Sequence, residues 1–102
     1  MKDVLIKAQK FVDLVRQAGI IVSTAYVFGS WVKDKASKDS DIDVCVVSPN
    51  FGDDYIEDMV RLRKISLNVD SRIEPIPFTP QDYNDPLGTL ASEIRKNSIK
   101  LS

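Results

Sequence analysis

Apolar residues recur at Val4, Leu5, Ala8, Phe11, Val12, Leu14 and Val15, with charged residues between them. That 3.6-residue period predicts an amphipathic helix over residues 3–18, stopped by Gly19. The pattern then changes. Ile20 to Phe28 is rich in β-branched and aromatic residues and predicts the first strand. After Gly29-Ser30, residues 30–36 predict a short helix and residues 37–40 a polar loop. A second strand over residues 41–47 is closed by Ser48-Pro49-Asn50. The helical period returns over residues 53–67 through Tyr55, Ile56, Met59, Val60, Leu62 and Arg63, with Asp53 or Asp54 as the N-terminal cap. Residues 71–78 predict a third strand, and Thr79-Pro80-Gln81-Asp82 opens a further helical turn. A last helix over residues 87–96 precedes a short final strand at Ile99-Lys100-Leu101.

The connections set the strand directions. The first joint is short and returns the chain antiparallel; the second contains a whole helix and makes strands two and three parallel through a right-handed crossover. The expected class is α/β, a small mixed sheet flanked by helices in one domain spanning residues 1–102. Pro75 and Pro77 are two apart, so their missing N–H groups fall on one side of the third strand. That side should lack a strand partner.

Composition narrows the chemistry by exclusion. At 102 residues, 43% hydrophobic and 28% charged, the chain suits one globular domain. A net charge of −1 argues against an extended surface for duplex nucleic acid. With no histidine, neither Ser-His-Asp or Cys-His catalysis nor a histidine-ligated zinc site can be built. Cys45 is the only cysteine, so no internal disulfide forms, and its apolar surroundings mark it as a core residue. No stretch reaches the apolar length of a membrane span, and Asp3 and Asp13 set the first helix apart from a targeting peptide. The expected location is cytoplasmic.

What remains points to carboxylates. Asp43 interrupts the run Ile42-Asp43-Val44-Cys45-Val46-Val47. Asp41 and Asp43 are two apart, so in a strand both project from one face, roughly 6–7 Å apart. At that separation two anions repel by roughly 2–3 kcal/mol at an effective dielectric near 20. A divalent cation between them relieves the repulsion. Gly29-Ser30 ends the adjacent strand, where glycine permits a sharp turn or a close approach. A helix starting at Ser30 would add free N–H groups for a phosphate. Glu74 is a third carboxylate among apolar neighbours on the third strand. Three such groups suit a two-magnesium phosphoryl-transfer site, since Mg²⁺ prefers hard oxygen ligands and paired metals stabilise attacking and leaving oxygens.

Gly29-Ser30, a spacer, then Asp41-Ile42-Asp43-Val44 resembles the signature of the DNA-polymerase-β-like nucleotidyltransferase superfamily. Within it, the chain is similar to the minimal nucleotidyltransferases of bacteria and archaea. The resemblance runs from the first strand to Glu74, and the Pro-Phe-Thr-Pro-Gln-Asp-Tyr stretch also fits. It implies the nucleotidyltransferase fold, with Asp41, Asp43 and Glu74 as catalytic metal ligands for two Mg²⁺ ions. It also implies that Gly29 and Ser30 contact the phosphates of a nucleoside triphosphate, expected to be ATP. Relatives commonly carry an Arg-x-x-Gly-like stretch next, where this chain has Trp31-Val32-Lys33-Asp34; Lys33, Lys35 or Lys38 can substitute as point charges. A chain this short has little surface to grip an acceptor, so the acceptor hydroxyl is expected on another chain. Relatives pair with a small helical HEPN-type protein as the antitoxin of a toxin–antitoxin module, and transfer of AMP to that partner is the expected reaction. Homo-oligomerisation stays open.

Other readings compete. The Asp pair could be a solvated loop-to-strand junction, Gly29-Ser30 a plain turn, and Glu74 the salt-bridge partner of Arg72. Asp70 rivals Glu74 as the third acid. An EF-hand counted from Asp39 fails, because Val44 and Asn50 stand where glycine and glutamate are required. The rival function is a non-catalytic binding module that neutralises its partner by contact.

Overall fold

The computed structural model describes residues 1–102. Helix α1 (Lys2–Gln17) buries Val4, Ala8, Phe11, Val12 and Val15 along one stripe, as its period predicts. Gly19, at φ +89°, makes the left-handed turn that ends it. Strand β1 (Thr24–Phe28) follows, then a single 3-10 turn (Gly29–Trp31) and strand β2 (Ile42–Val47). Helix α2 (Tyr55–Ser66) begins at Asp54, whose carboxylate accepts the Glu57 N–H at 3.1 Å. Strand β3 (Ile73–Phe78), helix α3 (Pro80–Asn84), helix α4 (Thr89–Lys96) and strand β4 (Ser98–Leu101) complete the chain. A capping box opens α3: Thr79 and Asp82 satisfy each other's backbone N–H groups, with Pro80 leading the helix.

The sheet order is β3-β2-β1-β4, with β2 and β3 parallel and the other pairs antiparallel. The expected directions are those observed. β3 forms one edge. Bonds from Ile42 N–H to Arg72 O (2.8 Å) and from Ser48 N–H to Phe78 O (2.9 Å) turn the even-numbered residues of β3 toward β2. Pro75 and Pro77 therefore direct their nitrogens to the free edge, where no ladder bond is lost.

Alternation along the strands divides the molecule. Ala25, Val27, Ile42, Val44, Val46 and Ile73 face α1 and α2 and join a core of 15 buried residues. Phe28, Cys45 and Val47 face the other way and pack with Ile94 of α4 in a cluster of 4. Tyr26 stacks on Tyr83 of α3 there, ring centroids 5.2 Å apart and nearly parallel.

Three expectations needed correction. The first strand begins at Thr24, since Thr24 faces Val47 and β2 has no residue beyond to pair with; Asn50 takes the Ile21 N–H at 2.7 Å instead. The helix expected over 30–36 is one tight turn. On α2 the apolar period overstates burial: Leu62 is fully buried, whereas Ile56 is 74% exposed. No helix is long and apolar enough to cross a membrane.

Candidate active site

Antiparallel pairing of β1 with β2 sets Phe28 opposite Asp43, so Gly29 and the two aspartates meet at one end of the sheet. Parallel pairing of β2 with β3 sets Asp43 beside Glu74 in register, on the same face. Asp41 lies just before β2 and is exposed, as is Glu74; Asp43 is half-buried. The topology thus assembles Gly29, Ser30, Asp41, Asp43 and Glu74 from three strand ends.

Gly29 has two reasons to be glycine. Its φ is +78°, in the left-handed region, and a Cβ there would lie 2.2 Å from Asp43 Oδ2. The close approach foreseen for a ligand is made by the Asp43 carboxylate itself. Gly29 O accepts the N–H groups of Val32 and Lys33, each at 3.1 Å, and Ser30 O accepts that of Lys35 at 3.0 Å. These bonds wind the segment into a turn, so the expected helix N-terminus at Ser30 does not form. Asp34 ends the stretch at φ +58°, taking the conformation glycine would favour. The Trp31 indole N–H donates to Ser40 O at 3.3 Å, and Arg72 stands 5.9 Å over its ring. Trp31 is a packing residue that closes the loop.

Electrostatics single out Asp43. Its pKa is raised to about 6, first by burial and then by the charges of Asp41, Glu74 and Glu93. Asp70 behaves oppositely. Arg72 and Lys7 bind its carboxylate, both at 2.9 Å, and hold its pKa well below the usual range. Asp70 is therefore a structural tie between α1 and the start of β3, which removes it as a rival third acid. Arg72 is committed to Asp70, so Glu74 is not its salt-bridge partner.

Lys33 is not free. It forms an ion pair with Glu93 of α4, sixty residues away. Glu93 escaped the sequence reading because nothing local distinguishes it from any exposed helix carboxylate; only the packing of α4 brings it to Asp43. Lys35 and Lys38 remain exposed.

The donor set suits a hard divalent cation: carboxylate oxygens at one sheet end, with Asp43 raised by burial and by the neighbouring charges, of which Asp41 and Glu74 are in no ion pair. The side chains do not close on a common point, and no three acidic or thiol groups stand poised to hold a metal. A separate shallow cavity of about 270 Å³, lined by Phe78, Asp82, Asp85, Gly88, Thr89, Leu90 and Ala91, lies at the far end of β3 and carries no cation for a phosphate.

A turn against paired carboxylates at the end of a small mixed sheet defines a class, and sequence comparison agrees. The model of the family described as nucleotidyltransferase domain matches residues 8–97. The chain belongs to that family and is an enzyme of the nucleotidyltransferase class. No curated protein matches the chain. Among solved structures it is similar to a toxin–antitoxin crystallised with AMP-PNP, at 18% identity and TM-score 0.67, covering 92% of this chain and 72% of that one. A putative nucleotidyltransferase from Sulfolobus solfataricus gives 18% and 0.67, covering 96% and 78%. A double Asp-to-Glu mutant of the toxin–antitoxin MntA-HpeT gives 18% and 0.66, covering 93% and 71%. At this identity the likenesses establish the fold.

Proposed function

We propose that this protein transfers AMP from Mg²⁺-bound ATP to a hydroxyl of a partner protein, as the antitoxin of a toxin–antitoxin pair with a small helical HEPN-type toxin. The observation that carries the proposal is the in-register meeting of Asp43 with Glu74 beside Gly29, with Asp41 two residues upstream. Two structural neighbours are themselves toxin–antitoxins, one crystallised with AMP-PNP, which supports the nucleotide and the partner class.

In this reading Asp41, Asp43 and Glu74 hold two Mg²⁺ ions, which when bound supply charge neutralisation for the transferred phosphoryl group. Gly29 and Ser30 hold the triphosphate through the turn, and Lys33 adds a point charge. The acceptor oxygen forms a bond to the α-phosphorus, the α–β phosphoanhydride bond breaks, and pyrophosphate leaves. Glu74, exposed and outside any ion pair, takes the hydroxyl proton. Positioning of the acceptor belongs to the partner, and it supplies much of the rate.

The test is incubation with labelled ATP and Mg²⁺, with and without the product of the adjacent gene, followed by mass spectrometry. Label on the partner that disappears with Asp43→Asn supports the proposal. Neutralisation of the partner by unlabelled complex and by Asp43→Asn alike favours contact alone. Efficient transfer by the isolated chain to a small molecule such as an aminoglycoside refutes a protein acceptor.

A further inference from the structure

Lys33 is the one lysine of the 33–38 loop whose side chain is held by another element, and its holder is a carboxylate at the candidate site. Resting on the nucleotide-binding reading above, we infer that Glu93 is a stand-in for a nucleotide phosphate: it parks Lys33 in the apo protein and yields it to the incoming triphosphate. Glu93 thereby becomes a positioning residue that sets nucleotide affinity.

Three observations carry this. First, the backbone presents Lys33 rather than leaving it to chance. Its N–H is fixed to Gly29 O at 3.1 Å within the same turn that abuts Asp43, so the Lys33 side chain springs from the turn beside Asp43, and its ammonium meets Glu93. Second, Glu93 lies close enough to Asp43 for its charge to be felt there, so the pair borders the metal-binding candidates. Third, the pair is cheap to break. The Lys33 and Glu93 side chains remain 40% and 37% exposed, and ion pairs of that exposure are weak and screened by salt. A magnesium triphosphate offers several charged oxygens where Glu93 offers one carboxylate, so the exchange favours the ligand. The other strong cation nearby, Arg72, is bound to Asp70 through several hydrogen bonds and is not available for such an exchange.

Glu93 opposes nucleotide binding under this arrangement by occupying Lys33. Neutralising it should therefore tighten binding, an unusual direction for a change beside an active site. Calorimetric titration of the whole chain with ATP and Mg²⁺, and separately with inorganic tripolyphosphate and Mg²⁺, tests the idea. Glu93→Gln should lower Kd about two- to fivefold at low salt, the range a weak surface pair permits. Glu93→Ala should do the same, which guards against a folding defect peculiar to one variant. Lys33→Ala should raise Kd, and in that background Glu93→Gln should have no further effect. A gain that persists without Lys33 overturns the inference, because Glu93 would then act by charge alone. An unchanged or weakened Kd in both Glu93 variants overturns it too, while ATP binding itself would leave the nucleotide reading standing. Failure of the wild-type chain to bind either ligand overturns both.

Discussion

The two faces of the sheet are built from the same strands and differ in how completely they are covered. On the face toward α1 and α2, Ile42, Val44 and Val46 sit in a core of 15 buried residues with no charge among them. On the face toward α3 and α4, the intervening Asp43, Cys45 and Val47 belong to a thinner layer whose buried cluster has 4 residues. Ile94 of α4 covers Cys45 and Val47, but beyond it Asp43 is only half-buried and Glu74 is exposed. The core and the candidate site are thus separated by the two-residue period of a strand, and not by distance along the chain. The lesson is that an acid in an apolar run is tolerated where the covering layer stops short.

Neighbouring residues of β2 provide the sharpest way to break this comparison. Ile42→Ala, on the fully buried face, should cost about 2–5 kcal/mol. Asp43→Asn, one residue on, should leave the fold as stable or slightly more so while abolishing transfer. Urea denaturation of both variants checks the contrast, and a large loss for Asp43→Asn would mean that its face is structural after all.

Gly29→Ala should fall between them, at about 1–2 kcal/mol for the left-handed conformation. Its added methyl group must also drive the Asp43 carboxylate aside, so Mg²⁺-dependent nucleotide binding should suffer more than stability does. Titration beside a urea melt separates the two. Loss of stability with intact binding would show that Gly29 serves the turn alone.

The smallest effect is a pH dependence. A carboxyl whose pKa is raised in the fold binds its proton more tightly folded than unfolded. The Asp43 contribution is therefore fully present below pH about 4 and is lost as pH rises through about 6. After screening by solvent at this half-exposed position it should amount to roughly 1 kcal/mol. Asp70 runs the other way, losing its ties to Arg72 and Lys7 as it is protonated. The Asp43 share is thus read as the difference between wild type and Asp43→Asn across pH 4–7. Mg²⁺ should restore stability to the wild type above pH 6 and leave the Asn variant unmoved. A flat difference profile would show that neither burial nor the surrounding charges shift Asp43.

Much of the molecule was legible in the sequence because it depends on local pattern. Periods of 3.6 and 2 residues placed the helices and strands, connection lengths gave the strand directions, and Pro75 with Pro77 marked the edge of the sheet. Gly29-Ser30 and the Asp pair stood out as candidates because their chemistry is out of keeping with their surroundings. Period alone misjudged the ends: β1 stops where its partner stops, and residues 30–36 close into a turn because Gly29 O captures two N–H groups. Tertiary structure alone decided that β4 lies beside β1, that Asp43 meets Glu74 in register, and that Lys7 of α1 ties to Asp70. It alone put Glu93 against Lys33, and it gave Gly29 the Asp43 carboxylate as its reason for lacking a side chain. Each of these contacts joins residues far apart in the chain, and no local propensity encodes them. They are fixed when the two apolar faces of the sheet find their helices, and the polar groups at the sheet's end are carried to wherever that packing leaves them.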